Sequence, residues 1–114
     1  MTGSDPRIPV YFGAALDVAP GVALLVEGDT PVPPGAAVAR FAPRATLGHA
    51  VGCPCCAPRG PVAEALGRLF LAHMRGRSAP LRAIVAVTCS EAGHDAVRAA
   101  LRADPLSRAR FRLL

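Results

Sequence analysis

The chain has 114 residues, of which 52% are hydrophobic and 4% aromatic, with a formal net charge of +5. This length supports one domain with a single core, and the apolar content excludes wholesale disorder. The basic residues are all Arg and are spread along the chain. Without interleaved stacking aromatics, this pattern does not predict a nucleic-acid-binding protein.

The N-terminus does not resemble a targeting segment. Residues 1–7 lack the charged and then apolar build of a signal peptide, and we expect them to be flexible. No apolar run approaches the roughly 20 residues of a membrane span. We therefore expect a cytoplasmic protein without a membrane partner, in which thiols stay reduced and clustered cysteines indicate metal or redox chemistry.

The first element is a predicted strand, and four more strands follow along the chain. They are short runs of apolar residues bounded by Gly, Pro or charged residues, and the central ones are apolar throughout, as in strands buried on both faces. The predicted strands are Ile8–Phe12, Val22–Val26, Val38–Phe41, Ala83–Val87 and Phe111–Leu114.

Two helices are predicted from apolar spacing and end signals. The first covers Val62–Met74, with Pro61 in the first turn and Gly76 as a stop. The second covers Glu91–Ala103, capped by Ser90 and ended by an Asp-Pro pair.

Strands alternating with helices predict a small α/β domain over residues 1–114. It would have two or three layers, a mainly parallel sheet of four or five short strands, and two main helices. The stretch 28–60 is rich in Pro and Gly and is predicted to be a long loop.

This loop carries the most informative motif of the sequence. Cys53, Cys55 and Cys56 place three thiols within four residues, a donor set that suits Zn²⁺, with Cu(I) as the softer alternative. A redox pair is less favoured because the spacing is not Cys-x-x-Cys and adjacent cysteines make strained disulfides.

Three thiolates leave a tetrahedral metal one ligand short. The candidates for the fourth ligand are Cys89, His49, His94, a water or a partner's ligand. Cys89 follows a predicted strand, where parallel α/β sheets gather their functional loops, although a lone cysteine is more often a small buried hydrophobe. His73 is predicted to pack on the first helix.

The sequence from Gly52 to Leu66, GCPCCAPRGPVAEAL, resembles the Gly-Cys-x-Cys-Cys segment of CobW-type metallochaperone GTPases (CobW/HypB/UreG-like). In that family a short Arg-containing turn and an amphipathic helix follow the cysteines. Residues 83–97 are similar to the family's strand that leads into a Glu-Thr-x-Gly turn. Residues 103–113 are similar to its Ala-Asp-Pro segment and the strand that follows.

The nucleotide-binding parts of that family are missing from this sequence. The first strand is not followed by a phosphate loop ending in Gly-Lys-Thr/Ser, and the chain contains no Lys and no Asn. Val87 stands where the family has its Glu, and Ser90 where it has the Gly of the turn. We therefore expect GTP binding and hydrolysis to be lost, so that the protein is not an enzyme.

The resemblance implies a reduced P-loop-NTPase-like fold and a zinc-binding or zinc-handling protein. It carries Cys53, Cys55 and Cys56 over as metal ligands and implies a client metalloprotein, a full-length relative, or a second copy of the chain as partner. Two alternatives stay open: a non-catalytic remnant acting as an interaction or structural domain, and a thiol redox protein.

Overall fold

The computed structural model describes residues 6–14, 19–42, 60–75 and 81–114. They form five strands, β1 to β5, and three helices, α1 to α3. In chain order these are β1 Ile8–Phe12, β2 Val22–Glu27, β3 Ala37–Phe41, α1 Pro61–Met74, β4 Ala83–Val87, α2 Glu91–Ala103, α3 Pro105–Arg110 and β5 Phe111–Leu113.

The strands form one sheet in the order β3-β2-β4-β1-β5, and every pairing is parallel. The predicted α/β class with a parallel sheet is therefore confirmed. The apolar runs of β2 and β4 occupy inner positions, where both faces of a strand are buried. Strand β1 pairs with late segments of the chain, Val10 with Ile84 and Ile8 with Phe111.

One face of the sheet, here called the helix face, carries the larger core. Helix α1 contributes a buried stripe, α2 contributes Val97 and Leu101, and the sheet contributes alternate residues of each strand. The stripe of α1 consists of Val62, Ala63, Ala65, Leu66 and Leu69. Its spacing is that of one side of an α-helix, so the burial follows from the sequence pattern.

The opposite face, here called the second face, holds a smaller apolar cluster. Leu24, Val26 and Val85 are fully buried there. Residues Val32 and Ala36, from the connection between β2 and β3, pack against this cluster. The centre of the second face is therefore buried in the described part of the chain.

Helix α3 was not predicted from the sequence. The Asp-Pro pair was interpreted only as the end of α2, but it also begins a new helix. Asp104 accepts hydrogen bonds from the backbone N–H and the hydroxyl of Ser107, both at 2.9 Å, and Pro105 occupies the first turn. An N-cap carboxylate followed by proline is a common helix start.

The long stretch 28–60 was predicted as a loop containing a strand, and β3 confirms that strand. Residues 43–59, which carry the cysteine segment, lie outside the described residues, as do residues 1–5. No helix in the described part of the chain is long and apolar enough to cross a membrane.

Candidate functional site

The candidate site lies at the carboxyl edge of the sheet, the edge at which all five parallel strands end. Strands β2 and β4 are neighbours there, and the segments that follow them leave in different directions. The connection after β2 packs on the second face through Val32 and Ala36, whereas β4 leads into α2 on the helix face. Adjacent strands whose connections diverge in this way mark the place where open α/β sheets commonly bind ligands.

Glu27, the last residue of β2, lies where these connections diverge. It is only 6% exposed, and its carboxylate meets the turn that follows β4. Oε1 accepts the backbone N–H groups of Cys89 at 2.8 Å and Ser90 at 3.1 Å, and Oε2 accepts the Ser90 hydroxyl. A buried carboxylate is tolerated here because it is hydrogen-bonded and lies beside the positive end of α2.

The balance of effects keeps Glu27 ionised. Burial raises the pKa of its carboxyl, but the hydrogen bonds from the Ser90 hydroxyl, the two backbone N–H groups and the Cys89 thiol oppose it. Their sum is larger, so the pKa of Glu27 lies below its ordinary value.

The N-cap of α2 and one residue of its first turn lie against this carboxylate. Ser90 is the N-cap, as predicted, and its hydroxyl oxygen accepts the Gly93 N–H at 3.0 Å. Gly93 is buried, and a Cβ built at this position would overlap the Glu27 carboxylate. The first turn of α2 therefore needs a residue without a side chain at this position.

Cys89 lies between the buried carboxylate and solvent. It is a free and exposed cysteine, so the alternative interpretation of Cys89 as a small buried hydrophobe is wrong. His94, in the first turn of α2, stacks on Phe12 with ring centroids 3.7 Å apart and an interplanar angle of 14°. Of the two described candidates for a fourth metal ligand, Cys89 is exposed and His94 is half-buried.

The predicted metal ligands are only partly covered by the structure. Cys53, Cys55, Cys56 and His49 lie outside the described residues. Within ranges 6–14, 19–42, 60–75 and 81–114, no group of three or more His, Cys, Asp and Glu side chains is arranged to hold a metal. His73 packs at the end of α1 as predicted, where its Nδ1 accepts the Leu81 N–H at 3.1 Å.

The strand topology relates the cysteine segment to Cys89. Segment 43–59 follows β3 and Cys89 follows β4, and these strands flank β2. The two strand ends are therefore about 10 Å apart, two strand spacings. Cys53 is eleven positions after Ala42, and an extended chain of that length reaches roughly 36 Å. Chain length therefore permits the cysteine segment to meet Cys89.

The sequence analysis did not predict Glu27 as a residue of the site. A signal was present, because Glu27 ends an apolar run that belongs to an inner strand, and a charged residue in that position needs buried partners. The identity of those partners, 62 and 63 residues further along the chain, depends on strand order.

Comparisons with known proteins add no assignment, since no protein-family model, curated protein or solved structure matches this chain.

Proposed function

We propose that this chain is a metal-binding protein that holds or passes on Zn²⁺ through a thiolate site and does not bind or hydrolyse GTP. The ligands are Cys53, Cys55 and Cys56, with Cys89 as the fourth. Thiolates at this density suit Zn²⁺, and Cu(I) is the softer competitor.

The observation that supports the proposal most is the position of Cys89. It is exposed at the carboxyl edge, and β3, the strand before segment 43–59, ends at that same edge. A fourth thiol within reach of three clustered thiols gives the four sulfur ligands of a closed tetrahedral zinc site.

The absence of GTP chemistry is proposed from the sequence. Residues 13–21 connect β1 to β2, and this span is too short for a phosphate loop followed by a helix. The chain has no lysine to bind the β- and γ-phosphates. Without a nucleotide cycle, metal release would depend on affinity differences between this protein and its acceptor.

The experiment is a metal titration of the reduced, full-length chain. Zinc and copper are quantified per chain after purification under reducing conditions, and the variant in which Cys53, Cys55 and Cys56 are all Ser is measured in parallel. We expect about one zinc per chain, lost in the triple variant. Unchanged zinc content in the triple variant would overturn the proposal.

A nucleotide measurement completes the test. We expect the zinc-loaded protein to leave the fluorescence of a labelled GTP analogue unchanged with Mg²⁺ present. Saturable binding of the analogue would contradict the proposed loss of GTP binding and leave the metal result standing.

A further inference from the structure

The arginines of residues 98–112 lie at the side of the sheet that ends in β5. Five of the 13 arginines belong to this stretch, and Asp104 is its only acidic residue. The Asp104 carboxylate is engaged as the N-cap of α3, where it accepts the N–H and the hydroxyl of Ser107. Helix α2 and strand β5 pack against each other and form a basic surface. This β5 surface consists of Arg98, Leu101, Arg102, Arg112 and Leu113.

An open cavity lies where α2 meets β5. Its volume is about 300 Å³, and it is lined by Arg98, Leu101, Arg102 and Leu113. The three residues from α2 are spaced by three and four positions, so they share one side of the helix. Both arginines are exposed, and neither forms an ion pair in the described part of the chain. The cavity therefore combines leucine side chains with two positive charges that carboxylates can approach.

The free side of β5 also offers backbone hydrogen-bonding groups. Within the described sheet β5 has one neighbour, β1. Leu114 donates its N–H to the Val10 carbonyl at 2.9 Å, and successive residues of a strand direct their N–H groups to opposite sides. The backbone N–H and C=O of Leu113 therefore point away from β1. An edge of this kind can accept another extended chain as a new neighbour.

Arg112 lies on the other face of the same strand. Phe111 packs in the core of the helix face and Leu113 lines the cavity, so the alternation of side chains places Arg112 on the second face. The Nε atom of Arg112 is buried and has no hydrogen-bond partner in the described part of the chain. The fold therefore does not use the full hydrogen-bonding capacity of this guanidinium. A chain bound along β5 would meet positive charge on both faces of the sheet.

We propose that the β5 surface binds an extended acidic segment of a partner protein, which adds to the sheet beside β5 and places an apolar side chain in the cavity. Alternate residues of such a strand share one face. Acidic residues two positions before and after the apolar one would meet Arg98 and Arg102, and those directly beside it would meet Arg112. The inference does not depend on the proposed metal site, since it uses no cysteine.

Charge and composition favour an acidic peptide over two other occupants. A second copy paired through the same edge would bring the same arginines together, and like charges opposite each other are destabilising. A single-stranded nucleic acid gains affinity by stacking on aromatic side chains, whereas the exposed large apolar residues of the described chain are Leu and Met. Leucines beside outward-pointing backbone groups are suited to a polypeptide.

The test measures peptide binding to the full-length protein, purified under reducing conditions, by fluorescence anisotropy. The probe is a fluorescein-labelled peptide containing Glu-Glu-Val-Glu-Glu, and a second probe has Glu in place of the Val. The test variant combines Arg98→Gln with Arg102→Gln. The matched control combines Arg75→Gln with Arg82→Gln, which removes the same charge from exposed arginines after α1 and before β4.

We expect the test variant to bind the valine peptide roughly 10-fold more weakly than the wild type. The control should change the affinity by less than about twofold at physiological salt, because distant charges are screened. The all-Glu peptide should bind more weakly despite its higher charge, since it places nothing apolar in the cavity. Amide hydrogen exchange at Leu113 should slow in the complex because its N–H becomes paired.

Each contrary result overturns a stated part of the inference. The peptide site is refuted by an absence of saturable binding of the valine peptide, or by equal losses in the two double variants. Unchanged exchange at Leu113 in the saturated complex would refute strand addition. A labelled oligothymidine that binds more tightly than the valine peptide, and is released by the Arg98 and Arg102 changes, would assign the surface to nucleic acid. A dimer that excludes the peptide would assign it to a second copy.

Discussion

The substitution Glu27→Gln isolates the charge of the buried carboxylate from its shape. The amide keeps an oxygen that can accept the backbone N–H groups of Cys89 and Ser90. Its nitrogen, however, cannot accept the Ser90 hydroxyl, which donates to Oε2 in the native protein. The variant thus loses one charge-assisted hydrogen bond and weakens two others.

The expected loss follows from these contacts. A hydrogen bond to a charged group contributes about 1.5–3 kcal/mol, and the charge at the positive end of α2 adds about 0.3–1 kcal/mol. The opposing term is the cost of burying the charge. Since the pKa of Glu27 lies below its ordinary value, the site favours the ionised carboxyl over the neutral one. We therefore expect Glu27→Gln to lower the free energy of unfolding by about 1–3 kcal/mol.

Urea unfolding of the reduced, metal-free protein at neutral pH measures this change. The midpoint should fall while the slope with urea stays the same, which assigns the effect to native stability. Glu91→Gln removes the same charge from an exposed position in the first turn of α2 and should cost no more than about 0.3–1 kcal/mol. Equal midpoints for Glu27→Gln and Glu91→Gln would refute the reasoning, because the buried hydrogen bonds would then contribute nothing.

Although alanine is the better helix former, Gly93→Ala should destabilise the protein by about 1–3 kcal/mol because its Cβ overlaps the Glu27 carboxylate. In a Glu27→Ala background, urea unfolding should show the same change to be neutral or stabilising. An equal cost in both backgrounds would contradict the overlap. The pH dependence of the metal-free protein should also report Glu27. Its folded pKa is lowered, so its contribution is complete above the unfolded value of about 4.3 and is lost as the pH falls towards the folded value. Urea midpoints from about pH 6 to about pH 3 should therefore fall more steeply in the wild type than in Glu27→Gln, and identical slopes would count against the shift. In α1, Leu66→Ala should lower the free energy of unfolding by about 2–5 kcal/mol because Leu66 is fully buried. Leu71 is 51% exposed, so Leu71→Ala should change it by less than about 0.5 kcal/mol in the same assay. Similar losses in the two variants would mean that the buried side of α1 is misassigned.

The strands and the two longer helices were predictable because each is encoded locally. Strand β4 is an uninterrupted apolar run, and α1 repeats its apolar residues at helical spacing. Helix α3 escaped prediction because Asp104 and Pro105 satisfy two rules at once, ending α2 and starting a new helix. Only the satisfied contacts of Ser107 distinguish the second role.

For the candidate site, the sequence predicted the position in the sheet but not the contacts. A parallel sheet implied that Cys89 would lie at the carboxyl edge, and the structure confirms this position. The role of Glu27 could not be derived, because it depends on β2 lying beside β4 with Val26 opposite Val87. That register brings Glu27 beside the turn after β4, and neither segment encodes its partner locally.

The position of β1 has a consequence for how the chain reaches its native state. This strand comes first in the sequence, yet its partners are β4 and β5, the last two strands of the described chain. Strands β2 and β3 can pair as soon as both exist, since Ala23 lies opposite Ala37. Strand β1 can pair only after β4 and β5 have been synthesised, and its pairings close very long loops, which slows folding. During translation the residues around Val10 therefore stay unpaired until the residues of β4 and β5 have been made.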